Sequence, residues 1–333
     1  MALVCVTGGG GFIGSQVIRE LLEAGHRVRT TVRNPAKAPA GLVELSPRID
    51  IVAADLGEPE SFRPAFSGCE FVIHTASPYV LNVDDPQRDL IDPAVNGTLA
   101  VLNAAGATPS IKRLVLTSSF AAITDEPDGE FDENKWNQRS AVDRNPYYFS
   151  KAASERTAWG FARSQSHFDL VVINPSVVLG PSLVPALNTS SSTLVGLLRG
   201  QYPGILDLDY AIVDVRDVAK AHRLAMETPS ASGRYLCAAE VWSQRRLVDW
   251  IRGADLGLGK PPRIALDNSL GRFLTKAAAR FQPPGNRDYV RTHIGRHPRI
   301  NTEKIRTELG MSFRPVGETL IDTFLDLKRW GHL

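Results

Sequence analysis

Cysteine is scarce in this chain: Cys5, Cys69 and Cys237 are scattered through 333 residues. An odd, dispersed set makes no disulfide framework, and the simplest account is a reducing, cytoplasmic compartment. No apolar run approaches the roughly 20 residues of a membrane span. The first residues lead into a strand pattern, and no signal peptide is visible. Charge of one sign is lacking as well. With 38 Lys and Arg against 36 Asp and Glu the net charge is +2, which argues against a broad basic surface for nucleic acid. Internal repeats and low-complexity tracts are missing. His293 and His297 have i,i+4 spacing but no third ligand nearby, among Arg291, Arg296 and Pro298. No metal is expected there. The Arg-rich stretch Arg263–Arg299 reads as a solvated face before an anion site, and it keeps a phosphate-bearing substrate in play.

What is present starts with glycine. Ala2-Leu3-Val4-Cys5-Val6-Thr7 is a short apolar run rich in β-branched residues, a buried strand by pattern. Gly8-Gly9-Gly10-Gly11-Phe12-Ile13-Gly14 follows at once. It satisfies G-x-G-x-x-G at Gly9, Gly11 and Gly14, and G-x-x-G-x-x-G at Gly8, Gly11 and Gly14. From Ile13 to Ala24 the periodicity is helical, with Ile13, Val17, Leu21 and Ala24 on one stripe and Gly25 as the C′ residue. Strand, glycine turn and helix is the context that makes this motif a dinucleotide fingerprint. Glycines admit a pyrophosphate close to the backbone, and the helix amino terminus favours its charge.

The alternation continues. Strands are expected at Arg27–Val32, Ile49–Ala53, Phe71–Thr75, Arg113–Ser118, Asp169–Asn174 and Arg234–Ala238. Helices are expected at about Pro93–Ala105 and from Tyr147 to about Arg163. Beyond Pro175 a Pro-, Ser- and Gly-rich stretch breaks the pattern. A strand-to-helix reading returns at Ala211–Met226, Trp242–Gly253 reads as helix, and two helical segments flank Gly310 and Pro315. The expected fold is α/β, a Rossmann-type doubly wound parallel sheet with a smaller discontinuous substrate-binding lobe. Residues 1–175 plus about 211–239 form the dinucleotide-binding unit, and about 176–210 plus 240–333 the lobe.

Tyr147 and Lys151 carry the chemistry. Four residues apart on a helix, they share one face. A free tyrosine has a pKa of about 10, and a neighbouring ammonium pulls it toward working pH, as a general acid requires. Tyr148 competes in register but lacks the four-residue spacing. Ser119, at the end of the fifth strand where α/β sheets bind ligands, can donate to a developing alkoxide. Ser118 is the alternate. Cofactor choice is read at Arg33, after the second strand, where NAD sites hold an acid for the ribose 2′-hydroxyl. A guanidinium suits a 2′-phosphate, and Lys37 adds charge, so NADPH (NADP+) is expected. His74, in an apolar strand without partners at metal spacing, reads as a satisfied core histidine.

Together these motifs resemble the extended short-chain dehydrogenases/reductases, and within them the dihydroflavonol reductase, cinnamoyl-CoA reductase and yeast ketone (methylglyoxal) reductase branch. The matching pieces are Thr7–Gly14, Arg33-Asn34-Pro35, Asp55-Leu56, His74–Pro78, Thr117-Ser118-Ser119, Tyr147–Lys151, Asn174-Pro175 with Gly180-Pro181, Val213–Ala219 and Asn301–Lys304 with Glu308-Leu309-Gly310. The resemblance implies NADPH-dependent reduction of an aldehyde or ketone, with Ser119, Tyr147 and Lys151 as the catalytic set. It also implies cofactor contacts at Thr7, Gly8, Gly11, Phe12, Ile13, Gly14, Asp55, Leu56, Thr75, Ala76, Ser77, Thr117, Tyr147, Lys151, Pro175 and Val177, beside Arg33 and Lys37. Asp55 would meet the adenine, although a loop-capping role competes. The small-molecule carbonyl substrate is expected against Pro78, Ser119, Phe120 and Tyr202, with Tyr79 nearby. Three rivals stand: a 3-beta-hydroxysteroid dehydrogenase-like enzyme, a nucleotide-sugar epimerase, and a non-catalytic NADP(H) sensor. Monomer and homodimer are both open.

Overall fold

A computed structural model describes residues 1–77, 83–254, 256–259 and 261–333. The strands in chain order are β1 (Leu3–Thr7), β2 (Arg27–Val32), β3 (Ile49–Ala53), β4 (Phe71–His74), β5 (Arg113–Thr117), β6 (Gly129–Phe131), β7 (Asp169–Pro175), β8 (Val177–Leu179), β9 (Ile205–Leu206), β10 (Asp209–Asp214), β11 (Gly233–Cys237), β12 (Glu240–Ser243), β13 (Ala265–Leu266) and β14 (Pro298–Ile300). Seven of them form one sheet in the order β11-β7-β5-β4-β1-β2-β3, and every pairing in it is parallel.

Alternation along the strands explains why helices cover both faces. Val4 and Val6 of β1, Val115 of β5 and Val171 and Ile173 of β7 enter one core, with Val17, Ile18 and Leu21 of the helix Phe12–Glu23 and Val218, Ala221 and Ala225 of the helix Val215–Glu227. Their neighbours Cys5, Leu114, Leu116, Leu170 and Val172 point the other way, against Val101, Leu102 and Ala105 of the helix Asp92–Gly106 and Ala158 of the helix Pro146–Arg163. A strand buried on both faces reads as a continuous apolar run, as these do.

β1 and β4 are the neighbours between which the winding reverses. β2 and β3 continue from β1 to one side, whereas β4, β5, β7 and β11 extend to the other. Such a reversal leaves a crevice outside the carboxyl ends of the strands. Here it is bounded by the segments after Thr7 and His74.

A smaller sheet, β12-β10-β8, lies outside the large one. Its core holds Leu194, Leu198, Trp242, Leu247, Ile251, Leu320 and Phe324. The expected division placed 211–239 with the dinucleotide-binding unit. In the structure Asp209–Asp214 pairs with Val177–Leu179 and Glu240–Ser243, while the strand Gly233–Cys237 joins the large sheet and the helix Val215–Glu227 packs in its core. Trp242, expected in a helix, belongs to β12; the helix starts at Gln244, capped by Ser243 Oγ. The Gly-, Pro- and Arg-rich stretch after Leu256 also contains the helices Ser269–Ala278 and Pro284–His293. Among the described residues no helix is long and apolar enough to cross a membrane.

Candidate active site

The glycine turn is built by contact. Gly8 has φ +74, a conformation that favours glycine, and a Cβ there would lie 2.8 Å from the Ala76 Cα. Gly8 O accepts from the Gly11 N–H at 2.9 Å, and a Cβ on Gly14 would run into that carbonyl. Two further bonds draw the crevice walls together. Thr75 Oγ1 donates to Thr7 O at 2.7 Å, and Thr7 Oγ1 meets His74 Nδ1 at 2.7 Å. Burial and the Lys151 ammonium push the His74 pKa down to about 3, so its ring is neutral. It is a satisfied core histidine.

The helix Phe12–Glu23 opens on Gly11, which supplies no side-chain cap, and no acid occupies its first turn. Its first amides therefore keep their donors for an anion, at the positive end of the helix dipole. Phe12 and Ile13 pack sideways against the core. Arg33 follows β2 directly and is exposed, as is Lys37 in the short turn Pro35–Lys37. Because β1 and β2 pair in parallel, with Thr7 opposite Thr31, Arg33 flanks the glycine turn. A backbone cradle that a Cβ would fill, uncapped amides and a flanking guanidinium fit a dinucleotide with an extra phosphate.

Asp55 is occupied locally: its Oδ1 accepts from the Gly57 N–H at 2.8 Å. Leu56 packs against Gly97. Thr117 turns its hydroxyl to His222 Nε2, 2.7 Å away. Pro175 closes β7 and is buried, while Val177 is partly buried in β8.

Tyr147 and Lys151 lie one turn apart on the helix Pro146–Arg163. Lys151 Nζ sits 5.8 Å from the Tyr147 ring centroid and donates to Ser77 Oγ at 2.8 Å. The lysine is only 8% exposed, and burial alone brings its pKa down to about 8. The helix carrying the tyrosine is thus tied to the segment following β4, in the crevice.

The two candidate serines separate. Ser118 donates to the buried Glu155 carboxylate at 2.5 Å. Ser119 caps the short turn Phe120–Ala122, its Oγ accepting from the Ala121 N–H at 3.1 Å, so its own proton remains available. Glu155, unremarked in the sequence, also accepts from Asn174 Nδ2 at 2.8 Å and Arg234 Nε at 2.5 Å. Asn174 Nδ2 reaches Ser119 O at 3.2 Å. The only sequence signal of Glu155 is a carboxylate four residues beyond Lys151 on one helical stripe.

Phe120 meets Phe131 edge to face at 5.9 Å. Tyr202 packs against the second-lobe core. Pro78 and Tyr79 lie outside the described residues. Tyr148 pairs with His293, Nε2 to OH 2.9 Å, whereas His297 faces Asp209 at 3.1 Å.

Comparison with known proteins follows the same lines. The model of the NAD dependent epimerase/dehydratase family matches residues 4–238. Cinnamoyl-CoA reductase CAD2 of Medicago truncatula is 39% identical over 279 residues, 80% of this chain and 84% of that protein. Cinnamoyl-CoA reductase 1 of Arabidopsis thaliana is 36% identical over 340 residues, 99% of this chain and 90% of that protein. The solved structure of yeast methylglyoxal/isovaleraldehyde reductase Gre2 complexed with NADPH superposes with a TM-score of 0.80 at 28% identity, covering 99% of this chain and all 100% of that one.

Proposed function

This chain belongs to the NAD dependent epimerase/dehydratase family, and within it we propose that it reduces an aldehyde or ketone to the alcohol with NADPH. The observation that carries the reading is the buried Lys151 ammonium, one turn from Tyr147 and bonded to Ser77 in the crevice. Bound NADPH supplies the hydride. Tyr147 donates its phenolic proton to the carbonyl oxygen as negative charge develops there. Ser119 Oγ–H donates to the same oxygen and orients it. Lys151 stabilises the phenolate left behind. The uncapped amides after Gly11 hold the pyrophosphate, and Arg33, helped by Lys37, holds the 2′-phosphate.

The names of the relatives support reductase chemistry on carbonyl compounds. A nucleotide-sugar epimerase is the family's other face, and a 3-beta-hydroxysteroid dehydrogenase a third. Arg33 at the 2′ position and the apolar run Phe120-Ala121-Ala122 after Ser119 favour an apolar carbonyl substrate over a sugar. Cys5, Cys69 and Cys237 are buried thiols, which suits a reducing cytoplasm.

The test is oxidation of NADPH and of NADH with aryl aldehydes, α-ketoesters, methylglyoxal and a steroid ketone, beside product analysis of a nucleotide sugar incubated with NAD+, since an epimerase regenerates its cofactor and leaves no net oxidation. NADPH-dependent turnover of the aldehydes or ketones is expected. Turnover of the nucleotide sugar alone, or none of any compound despite NADPH binding, overturns the assignment.

A further inference from the structure

The entry to the helix that carries Tyr147 is unusual. Asn145 has φ 49 and ψ 58, and among the described residues it is the one non-glycine with positive φ. Asn tolerates this left-handed region better than most residues, though at a cost. An asparagine at this position ordinarily folds its side chain back to accept from its own helix's first amides. Asn145 makes no such bond. Its side chain instead leaves the helix. Nδ2 donates to Asp125 Oδ2 at 3.3 Å and to Thr292 Oγ1 at 3.2 Å. Its backbone N–H donates to Asp288 Oδ2 at 3.3 Å.

Asp288 and Thr292 belong to the helix Pro284–His293, part of the substrate lobe in the sequence-based division, and Asp125 follows Ser119 on the sheet side. Both carboxylates are buried, Asp125 at 1% and Asp288 at 8% exposure. Three residues along, Tyr148 is anchored to the same helix through His293. Burial brings the His293 pKa down to about 4. The ring is then neutral at ordinary pH: Nδ1 faces Tyr289 O at 3.1 Å, and Nε2 accepts from Tyr148. Tyr147 lies between these two anchors.

We infer that Asn145 is a positioning residue for Tyr147: its left-handed backbone sends its amide groups to Asp125, Asp288 and Thr292, so the helix Pro284–His293 sets where the acid stands. The inference rests on the general-acid reading of Tyr147. A misplacement of about 1 Å is worth roughly a hundredfold in rate, and the clamp's hydrogen bonds run among Asn145, Asp125, Asp288 and Thr292, none of them to the glycine turn.

The experiment compares wild type, Asn145→Gly, Thr292→Val and Tyr147→Phe in NADPH-dependent reduction of an aldehyde that the wild type turns over. Glycine keeps the backbone conformation and removes both side-chain bonds. The expected result is a tenfold to hundredfold loss of kcat in Asn145→Gly, with KM for NADPH within twofold of wild type. The alkaline limb of its kcat profile, which belongs to the Tyr147–Lys151 pair because burial brings Lys151 down to about 8, moves up as a tyrosine displaced from the ammonium returns toward its ordinary pKa of about 10. Thr292→Val shows a smaller shift in the same direction, and it carries the test alone if Asn145→Gly fails to fold. An inactive Tyr147→Phe beside variants with wild-type kcat and an unmoved limb overturns the inference and leaves the function standing. Loss of kcat with the limb unmoved marks a merely structural role and also overturns it. An active Tyr147→Phe overturns the functional reading itself.

Discussion

Ser118 and Glu155 are joined by a 2.5 Å hydrogen bond inside the protein, and that bond distinguishes two adjacent serines. Ser118 spends its proton on a carboxylate that also neutralises Arg234. Ser119, one residue on, keeps its proton while its oxygen caps the following turn. Ser119→Ala is therefore expected to lower kcat by about 10²–10³, the usual cost of a lost oxyanion donor. Ser118→Ala should leave kcat within a few-fold and destabilise the fold by about 1–3 kcal/mol, the cost of an unsatisfied buried partner. Steady-state rates and urea unfolding of both variants check this. The reverse pattern would move the oxyanion role to Ser118.

Arg33 is expected to select the cofactor. Charge-assisted hydrogen bonds contribute about 1.5–3 kcal/mol, so Arg33→Asp should lower kcat/KM for NADPH by roughly ten- to a hundredfold. It should raise kcat/KM for NADH, since the acid can accept from a ribose 2′-hydroxyl. Equal losses with both cofactors would place the 2′-phosphate elsewhere.

Acid should destabilise the protein through three buried imidazoles. Burial lowers the pKa of His74 to about 3 and those of His222 and His293 to about 4. Between pH 6.5, the ordinary histidine value, and about 4 the unfolded chain binds protons that the folded chain does not. Stability is therefore full above pH 6.5 and falls as pH drops, by about 1.4 kcal/mol per pH unit for each histidine. Unfolding free energies measured from pH 7 to 5 should show this slope, shallower by one proton in His222→Gln. A slope unchanged in that variant would mean that His222 is charged in the native state.

Legibility in the sequence followed the range of the interactions. β2 and β3 have the bounds their patterns suggest, because short runs of β-branched residues, Val28, Thr30, Thr31 and Val32 in one and Ile49, Ile51 and Val52 in the other, are a local strand signal. The glycine turn was legible because strand, glycines and helix follow one another in the chain, although Gly8 is pressed against the distant Ala76 in the fold. Ser119 needed the neighbouring Tyr147 and Lys151 to be singled out, and its separation from Ser118 depends on Glu155, 37 residues beyond Ser118. Asn145 gave no signal at all: its partners Asp288 and Thr292 are 143 and 147 residues away. The helix Ser269–Ala278 was hidden by the surrounding Gly and Pro, since pattern reading takes such stretches for loops.

The central claim is that Tyr147, and not its neighbour, is the proton donor. The most direct measurement is the NADPH-dependent turnover of one carbonyl substrate by Tyr147→Phe and Tyr148→Phe side by side. The account predicts a loss of about 10²–10⁴ in kcat for Tyr147→Phe, the range of general acid catalysis. For Tyr148→Phe, whose hydroxyl is engaged with His293, it predicts a far smaller loss. A Tyr147→Phe protein that turns over at close to the wild-type rate contradicts it.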